Sequence, residues 1–221
     1  MTEAGEHRVE RQRERGYDAF RTGLMEGALQ PGQYLSQREI GALTGLPERA
    51  VRELIVHLLS DGLLETARQR GFRVASVDIA LIRSAFQLRR FIECGAVMEF
   101  CASAGDAELA AHRRAHEAVL SEITDQPSPA LRERFYAVDR DLHEAIIASL
   151  GNPLIESVHR VNAVKIRLIR RTQIRAERFM ARTMREHLAI VAACEARDRF
   201  AAVDAMGAHI DNTMRRVMGL D

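Results

Sequence analysis

Four residues in the second half of the sequence could together bind a metal ion. Asp139 and His143 are four positions apart, so in a helix both side chains lie on one face. His187 and His209 lie on what the hydrophobic pattern predicts to be the last two helices. A carboxylate and three imidazoles can surround one divalent cation, and such ligands suit zinc, and also nickel or manganese. Each residue taken alone is more simply a core or surface residue, so the hypothesis depends on all four together.

An arginine on an earlier helix is a candidate for binding an anion. Arg89 precedes Glu93 by four positions, so its guanidinium could hold two oxygens of a carboxylate ligand or form an ion pair with Glu93 on the helix surface. Spacing alone does not choose between these two roles. A later basic run could line an anion pocket, but it covers several faces of its helix, so we expect a solvated face: Arg167, Arg170, Arg171, Arg175 and Arg178.

Two further histidines have the same spacing as the metal candidates but are interpreted differently. His112 and His116 are four positions apart, yet their helix is rich in charged residues, and we expect both to face solvent. On the helix that carries Arg89, by contrast, we expect an apolar group to be ordinary core: Leu88, Phe91, Ile92 and Met98.

Composition favours a folded, mainly helical protein. The 221 residues are 47% hydrophobic and 29% charged, which argues against disorder. Aromatic residues make up 5% with no Trp, which favours helices over strand-rich sandwiches. A net charge of +1 identifies no partner.

Cysteine usage and hydropathy favour the cytoplasm. The three cysteines are odd in number and show no CxxC spacing, which argues against a disulfide framework and a thiolate zinc site. The N-terminal residues alternate in charge where a secretion signal would be apolar, and the longest uninterrupted apolar run, 188–194, is too short to span a membrane.

The first third of the chain has the pattern of a winged helix-turn-helix. A helix is predicted near 8–29, and Ser36 with Glu39 forms a capping box that starts a short helix ending near Leu43. A second helix follows the turn 44–47, with a complete apolar stripe from Val51 to Leu59. Two extended runs, 63–66 and 72–77, then predict a β-hairpin with a basic tip. This order predicts a DNA-binding domain over 1–77.

The remaining residues, 78–221, show only helical periodicity. Breaks at Gly and Pro clusters divide them into six predicted helices, near 78–104, 106–123, 129–150, 153–172, 176–197 and 199–218. Six helices with short connections predict an antiparallel bundle. The expected fold is therefore mainly α, with an N-terminal winged helix-turn-helix, a small β-hairpin and a C-terminal six-helix bundle.

The segment 31–75 resembles the DNA-binding domain of the GntR family. The residues that carry the resemblance are Pro31-Gly32, Ser36, Gly45, Val51-Arg52-Glu53 and Arg70-Gly71-Phe72-Arg73-Val74. The helical part is similar to the ligand-binding domain of the FadR-type branch, often called FCD. This resemblance implies a cytoplasmic homodimeric transcriptional regulator that binds a palindromic duplex operator and is not an enzyme.

The resemblance also implies roles for particular residues. It places five positions in contact with DNA: Arg38, Arg49, Arg52, Arg70 and Gly71. Glu48 stands where the family usually has a base-contacting Arg, so the operator is expected to differ or Arg49 to take over the reading. Arg68 and Arg73, in or beside the wing, are expected to add phosphate contacts.

In the helical domain the resemblance supports a metal and effector site. Asp139, His143, His187 and His209 agree with the family's metal-binding pattern, and Arg89 matches a family arginine that binds the carboxylate of a small organic-acid effector. Asn152 is a second, weaker candidate for the effector pocket. One alternative is a metalloenzyme that uses the same four ligands to activate water, although four protein ligands leave less room for a substrate. Another, within the regulators, is a sensor of fatty acyl-CoA. The effector, the operator sequence, the metal element and the choice between repression and activation stay open.

Overall fold

The structure is a computed structural model that describes residues 3–173 and 176–220. The chain divides into two compact units, Met1–Asp78 and Ile79–Asp221, which we describe separately. Both are mainly helical, as expected. Among the described residues, no helix combines the length and the apolar character needed to cross a bilayer.

The first unit is a winged helix-turn-helix. Its elements are α1 (Glu3–Glu26), β1 (Tyr34–Leu35), α2 (Gln37–Thr44), α3 (Glu48–Ser60), β2 (Leu64–Ala67) and β3 (Gly71–Val74). The predicted capping box is confirmed: Ser36 Oγ accepts from the Glu39 N–H, and Glu39 Oε2 accepts from the Ser36 N–H. Phe20 and Leu24 of α1 are buried with Leu54 and Leu58 of α3, so the apolar stripe of α3 faces the core and leaves its other side exposed.

The wing is a three-stranded antiparallel sheet in the order β1-β3-β2. The sequence predicted β2 and β3 but not β1, which is two residues long and pairs Tyr34 with Arg73. Gly71 begins β3 with a φ of 81°, and a Cβ there would lie 2.7 Å from the Leu35 carbonyl oxygen. Both the backbone conformation and the close approach of β1 therefore require glycine.

The second unit is a helical bundle. Its elements are α4 (Ile79–Ser103), α5 (Asp106–Glu122), α6 (Pro129–Ala148), α7 (Pro153–Gln173), a 3₁₀ turn (Ala176–Phe179), α8 (Met180–Glu195) and α9 (Arg199–Val217). Ser128 caps α6 by accepting from the Leu131 N–H, and Asp198 caps α9 by accepting from the Ala201 N–H. The helix α4 packs against α6, α7 and α9, and α8 packs against α5 and α9.

The predicted core of α4 is wrong for three residues of four. Phe91 is 76% exposed, Leu88 and Met98 are also exposed, and Ile92 is only half-buried. The reason lies on the opposite face, where Arg89 and Glu93 are buried in the bundle. Because two charged residues occupy the inner face, their apolar neighbours face outward.

Candidate functional site

Three helices of the second unit bring three imidazoles together. His143 comes from α6, His187 from α8 and His209 from α9, and all are buried. One nitrogen from each lies within 4.8 Å of the others, which is close enough for one ion to bind all three. The predicted set of histidines is therefore a spatial cluster.

Each of these imidazoles has a polar partner within 3.1 Å of Nδ1. His209 Nδ1 lies 3.0 Å from Glu186 Oε2, His187 Nδ1 lies 3.1 Å from His116 Nε2, and His143 Nδ1 lies 2.8 Å from Glu93 Oε2. Partners of this kind fix the ring orientation and the tautomer of metal-binding histidines. Hydrogen bonds of this kind hold His187 and His209, while Glu93 lies at ion-pair distance from His143.

The His116 contact assigns the proton on His187. His116 Nδ1 lies 2.7 Å from the carbonyl oxygen of His112, which can only accept, so Nδ1 of His116 carries the proton. Burial lowers the pKa of His116 and keeps it neutral at pH 7, which leaves its Nε2 as an acceptor. His187 therefore donates from Nδ1, and its own Nε2 carries a lone pair.

His209 is also neutral and carries its proton on Nδ1. Burial lowers the pKa of His209 to about 4, so the ring is neutral at pH 7. Burial would raise the pKa of Glu186, but the bidentate Arg216 guanidinium and His209 lower this pKa to about 2. The Glu186 carboxylate is therefore ionised and accepts from Nδ1 of His209. Nε2 of His209 then also carries a lone pair.

These two lone pairs face each other, and this geometry fits a metal ion. Nε2 of His187 and Nε2 of His209 lie 3.3 Å apart. Two nitrogens bound tetrahedrally to one zinc ion at about 2.1 Å would lie about 3.4 Å apart. Since neither nitrogen has a hydrogen to share, the pair is preorganised to bind a cation.

Asp139 lies at the edge of this cluster. Its Oδ1 is 3.8 Å from Nε2 of His187, while Arg170 Nη1 donates to Oδ1 at 3.0 Å and to Oδ2 at 2.8 Å. Burial would raise its pKa, but the Arg170 guanidinium and His143 hold that pKa well below the usual range of a carboxyl. The carboxylate is therefore ionised, as a metal ligand must be, and forms an ion pair with Arg170. The prediction that Arg170 is simply solvated is wrong.

Arg89 is buried beside the same cluster. Its Nε donates to Glu93 Oε1 at 2.9 Å, so the ion pair with Glu93 is present but lies in the interior and not on the surface. Its Nη2 lies 2.6 Å from Nε2 of His143. The guanidinium thus contacts one of the candidate metal ligands directly.

A cavity of about 50 Å³ adjoins the cluster and has room for a few water molecules. Charged and polar side chains dominate its wall: Arg89, Glu93, Asp139, Arg140, His143, Glu144, His159, Asn162, Arg167 and Arg170. The four guanidinium groups make it suitable for an anion. Arg171 is exposed, and Arg175 lies outside the described residues.

Asn152 does not line this cavity. Its Oδ1 accepts from the N–H groups of Leu154 and Ile155 at the start of α7, so the side chain caps the helix. The amide that does line the cavity belongs to Asn162, whose Nδ2 donates to the carbonyl oxygen of Ala85. The amide in the cavity wall is thus ten residues further along the chain than the one expected from sequence.

Sequence reasoning missed two residues that hold the imidazoles. His116 is fully buried, so the expectation that it faces solvent is wrong, while His112 is half-buried. Glu186 directly precedes His187, as in the Glu-His pair of the family pattern, but the sequence indicated no role of its own for it. The spacing of His116 from His112 was visible in the sequence, but which face of α5 is buried depends on α8 packing against it.

All five expected DNA-contact positions in the first unit are exposed. They are Arg38 at the start of α2, Arg49 and Arg52 on the outer face of α3, and Arg70 with Gly71 in the wing. Arg70 stacks over the Tyr34 ring, with its guanidinium carbon 5.2 Å from the ring centre. Arg73 instead pairs across the sheet with Glu65.

Glu48 forms an ion pair with Arg52, one turn later on α3. Both side chains are largely exposed, so the pair is solvated and contributes little to folding stability. Its effect is on the orientation of Arg52, because the carboxylate competes with any phosphate or base for that guanidinium. The departure from the usual family residue thus acts on its neighbour.

Two family models match the chain. The model described as "Bacterial regulatory proteins, gntR family" matches residues 12–74, and the model described as "FCD domain" matches residues 84–212. The second match alone spans more than half of the chain.

Individual proteins are similar over most of the length. The HTH-type transcriptional regulator BphR of Paraburkholderia xenovorans (strain LB400) is 25% identical over 204 residues, covering 90% of this chain and 82% of the relative. Among solved structures, E. coli McbR/YncC has a TM-score of 0.74 at 17% identity, covering 94% of this chain and 97% of that one. The Zn²⁺-bound FCD domain of TM0439 has a TM-score of 0.50 at 22% identity, covering 66% and 96%.

Proposed function

Because this chain belongs to the GntR family of bacterial regulatory proteins and carries an FCD domain, it is a DNA-binding transcriptional regulator. We propose that a divalent metal ion and a small carboxylate, both bound in the FCD domain, control its affinity for its operator. The relatives are regulators, which decides against the metalloenzyme alternative.

The facing Nε2 atoms of His187 and His209 are the observation that carries the metal part of the proposal. Together with His143 and Asp139 they would hold the ion, and hydrogen bonds at Nδ1 already orient the rings of His187 and His209. A zinc-bound FCD domain among the structural neighbours supports a metal in this fold, and zinc suits the ligand set, as nickel or manganese would. When bound, the ion would supply positive charge and a coordination position for a carboxylate oxygen.

The cavity next to the cluster supports the carboxylate part. Asp139 and His143 line it, so a ligand inside would lie beside the ion, and Arg89, Arg140 and Arg170 would surround its oxygens. A guanidinium fork can hold both oxygens of a carboxylate. Arg89 thus keeps its proposed effector role, and Asn162 takes the place expected for Asn152.

DNA binding is proposed to use the exposed residues of the first unit. Arg49 and Arg52 on α3 would enter the major groove, and Arg38 and Arg70, with the backbone at Gly71, would contact the phosphates or groove edges beside it. Regulators of this family usually act as dimers, and a homodimer would read a palindromic site.

The exposed apolar stripe of α4 is the surface we assign to the second copy. Leu88, Phe91, Gly95 and Met98 fall on one face of the helix, and all are exposed. A Cβ at Gly95 would meet nothing within 4 Å, so a partner helix can approach closely there. Exposed apolar patches of this kind mark protein interfaces.

The test uses the full-length protein and duplexes selected from random DNA. We expect zinc to change the Kd of wild type for the selected duplex by at least about fivefold, and small carboxylic acids added to the zinc-loaded protein to change it again. The variant His187→Ala should bind DNA with the Kd of metal-free wild type, and neither zinc nor a carboxylic acid should change that Kd. His112→Ala, on the helix next to α8, is the matched control and should respond normally. Equal zinc responses in wild type and His187→Ala would contradict the proposed site.

A further inference from the structure

The guanidinium of Arg89 lies against the imidazole that would bind a metal ion. Nδ1 of His143 faces Glu93 Oε2 at 2.8 Å, so Nε2 is the nitrogen left for a metal. That nitrogen lies 2.6 Å from Nη2 of Arg89, which can only donate to it. Nη2 also lies 3.1 Å from Nδ1 of the same ring, so the guanidinium lies beside the imidazole and close to any ion that Nε2 would bind.

Charge creates a conflict between the guanidinium and a bound ion. Arg89 is 4% exposed, so its positive charge is screened by little water from an ion bound to the neighbouring His187 and His209. The cavity wall carries four guanidinium groups against three carboxylates, and a divalent ion would add two positive charges to that excess. The guanidinium is therefore expected to move away when the ion binds, and the cavity then needs an anion.

We propose that Arg89 is an internal cation that the metal displaces from His143, and that the displaced guanidinium then binds the carboxylate ligand in the cavity. The inference rests on the proposed function for the presence of metal and carboxylate, and it adds the exchange between them. Arg89 lines the cavity as well as touching His143, so a rotation of its side chain is enough to change partners.

The exchange makes metal and carboxylate bind cooperatively. In the metal-free protein Arg89 is engaged by Glu93 and His143, and a carboxylate in the cavity would have to compete for it. The bound ion removes the His143 partner, so the carboxylate gains the guanidinium. By linkage, a carboxylate must then tighten metal binding by the same factor.

The test measures zinc affinity of the full-length protein by competition with a chelator. We expect Arg89→Gln to bind zinc at least about tenfold more tightly than wild type, because the cation beside His143 is gone. Arg140→Gln is the matched control, since Arg140 lines the same cavity and carries the same charge but pairs with Asp141 and Glu144. The zinc affinity of Arg140→Gln should differ from wild type by less than about threefold. This difference measures the effect of removing one positive charge that does not contact His143.

Malonate, a small dicarboxylate, is the anion probe. It should bind zinc-loaded wild type at least about tenfold more tightly than metal-free wild type, and this gain should be lost in Arg89→Gln. Unchanged or weaker zinc binding in Arg89→Gln overturns the exchange, as does equal tightening in Arg140→Gln. Wild type that binds no zinc at all would instead overturn the proposed function.

A second measurement covers the case in which Arg89→Gln does not fold. In wild type labelled with ¹⁵N-arginine, zinc should shift the protected Nε–H signal of Arg89. A full equivalent of bound zinc that leaves this signal in place overturns the proposal.

Discussion

His116 accepts a hydrogen bond from His187, with 3.1 Å between Nε2 and Nδ1. The bond connects α5 to α8 and leaves Nε2 of His187 facing His209. A neutral imidazole thus does for His187 what the Glu186 carboxylate does for His209. The two metal-facing nitrogens are oriented by partners of different charge, and the partners can be removed separately.

We therefore predict that His116→Ala weakens zinc binding by about 10- to 100-fold, the usual effect of losing a residue that orients a metal ligand. Isothermal titration or chelator competition would measure it. His112→Ala is the control, because it removes an imidazole one turn away and keeps the backbone carbonyl that His116 contacts. Equal losses in the two variants would show that the effect comes from packing of α5.

Acidification should destabilise the metal-free protein well before its carboxylates titrate. The pKa of His209 is lowered to about 4 by burial, from about 6.5 in an unfolded chain. As pH falls, His209 therefore takes up a proton at a higher pH in the unfolded state than in the folded state. The stability contributed by the neutral His209 is fully present above pH 6.5 and is lost progressively as pH falls to 4. For His209 alone we expect a loss of about 2 kcal/mol between pH 7.5 and 5.

Urea unfolding of the metal-free protein at several pH values would measure this loss. His187, whose pKa burial also lowers, should add to it in the same direction. The variant His209→Gln, which cannot titrate, should show a smaller pH dependence than wild type. A free energy of unfolding that is constant from pH 7.5 to 5 would contradict the prediction.

The elements were predictable from sequence because their signals are local. The capping box of Ser36 and Glu39 and the apolar stripe of α3 depend on residues within two turns, and the structure confirms both. The strand β1 was missed because a two-residue strand has no periodicity, and its pairing with β3 depends on residues almost forty positions later.

The candidate site was predictable only in part, because part of it depends on contacts between helices that are distant in sequence. The spacing of Asp139 and His143 places both on one face of α6, and the resemblance supplied His187 and His209. The same spacing gave no indication that His116 is buried, because that depends on α8. Phe91 shows the limit most clearly: it is apolar and yet exposed, since charged residues with partners on other helices occupy the inner face.

The exposed stripe of α4 predicts the effect of a charge on self-association. Phe91→Glu should raise the dimer Kd by about 30-fold or more, because it places an unpaired charge in an apolar interface. Sedimentation velocity would measure the change. Phe91 is 76% exposed, so the fold should tolerate the substitution. Phe200→Glu, at a residue that is 80% exposed on α9, is the control and should leave the Kd unchanged.

The ion pair of Glu48 with Arg52 predicts opposite effects for its two members on DNA affinity. Arg52→Ala should weaken binding to the selected duplex by about 1–3 kcal/mol per half-site, the contribution of a base-reading fork. Glu48→Gln should strengthen it, because the carboxylate no longer competes for Arg52 or repels phosphate. Fluorescence anisotropy at fixed salt would measure both.

Glu48→Arg separates competition for Arg52 from base reading by Glu48 itself. If Glu48 lies in the groove, this variant should select half-sites richer in guanine, because arginine pairs with guanine and glutamate can only accept from cytosine. Arg49, which is exposed and only weakly paired with Glu53, provides the comparison: Arg49→Ala should weaken binding while the Glu48–Arg52 pair is intact. Glu48→Gln binding that is no tighter than wild type, together with an unchanged selected sequence for Glu48→Arg, would place Glu48 outside the DNA interface.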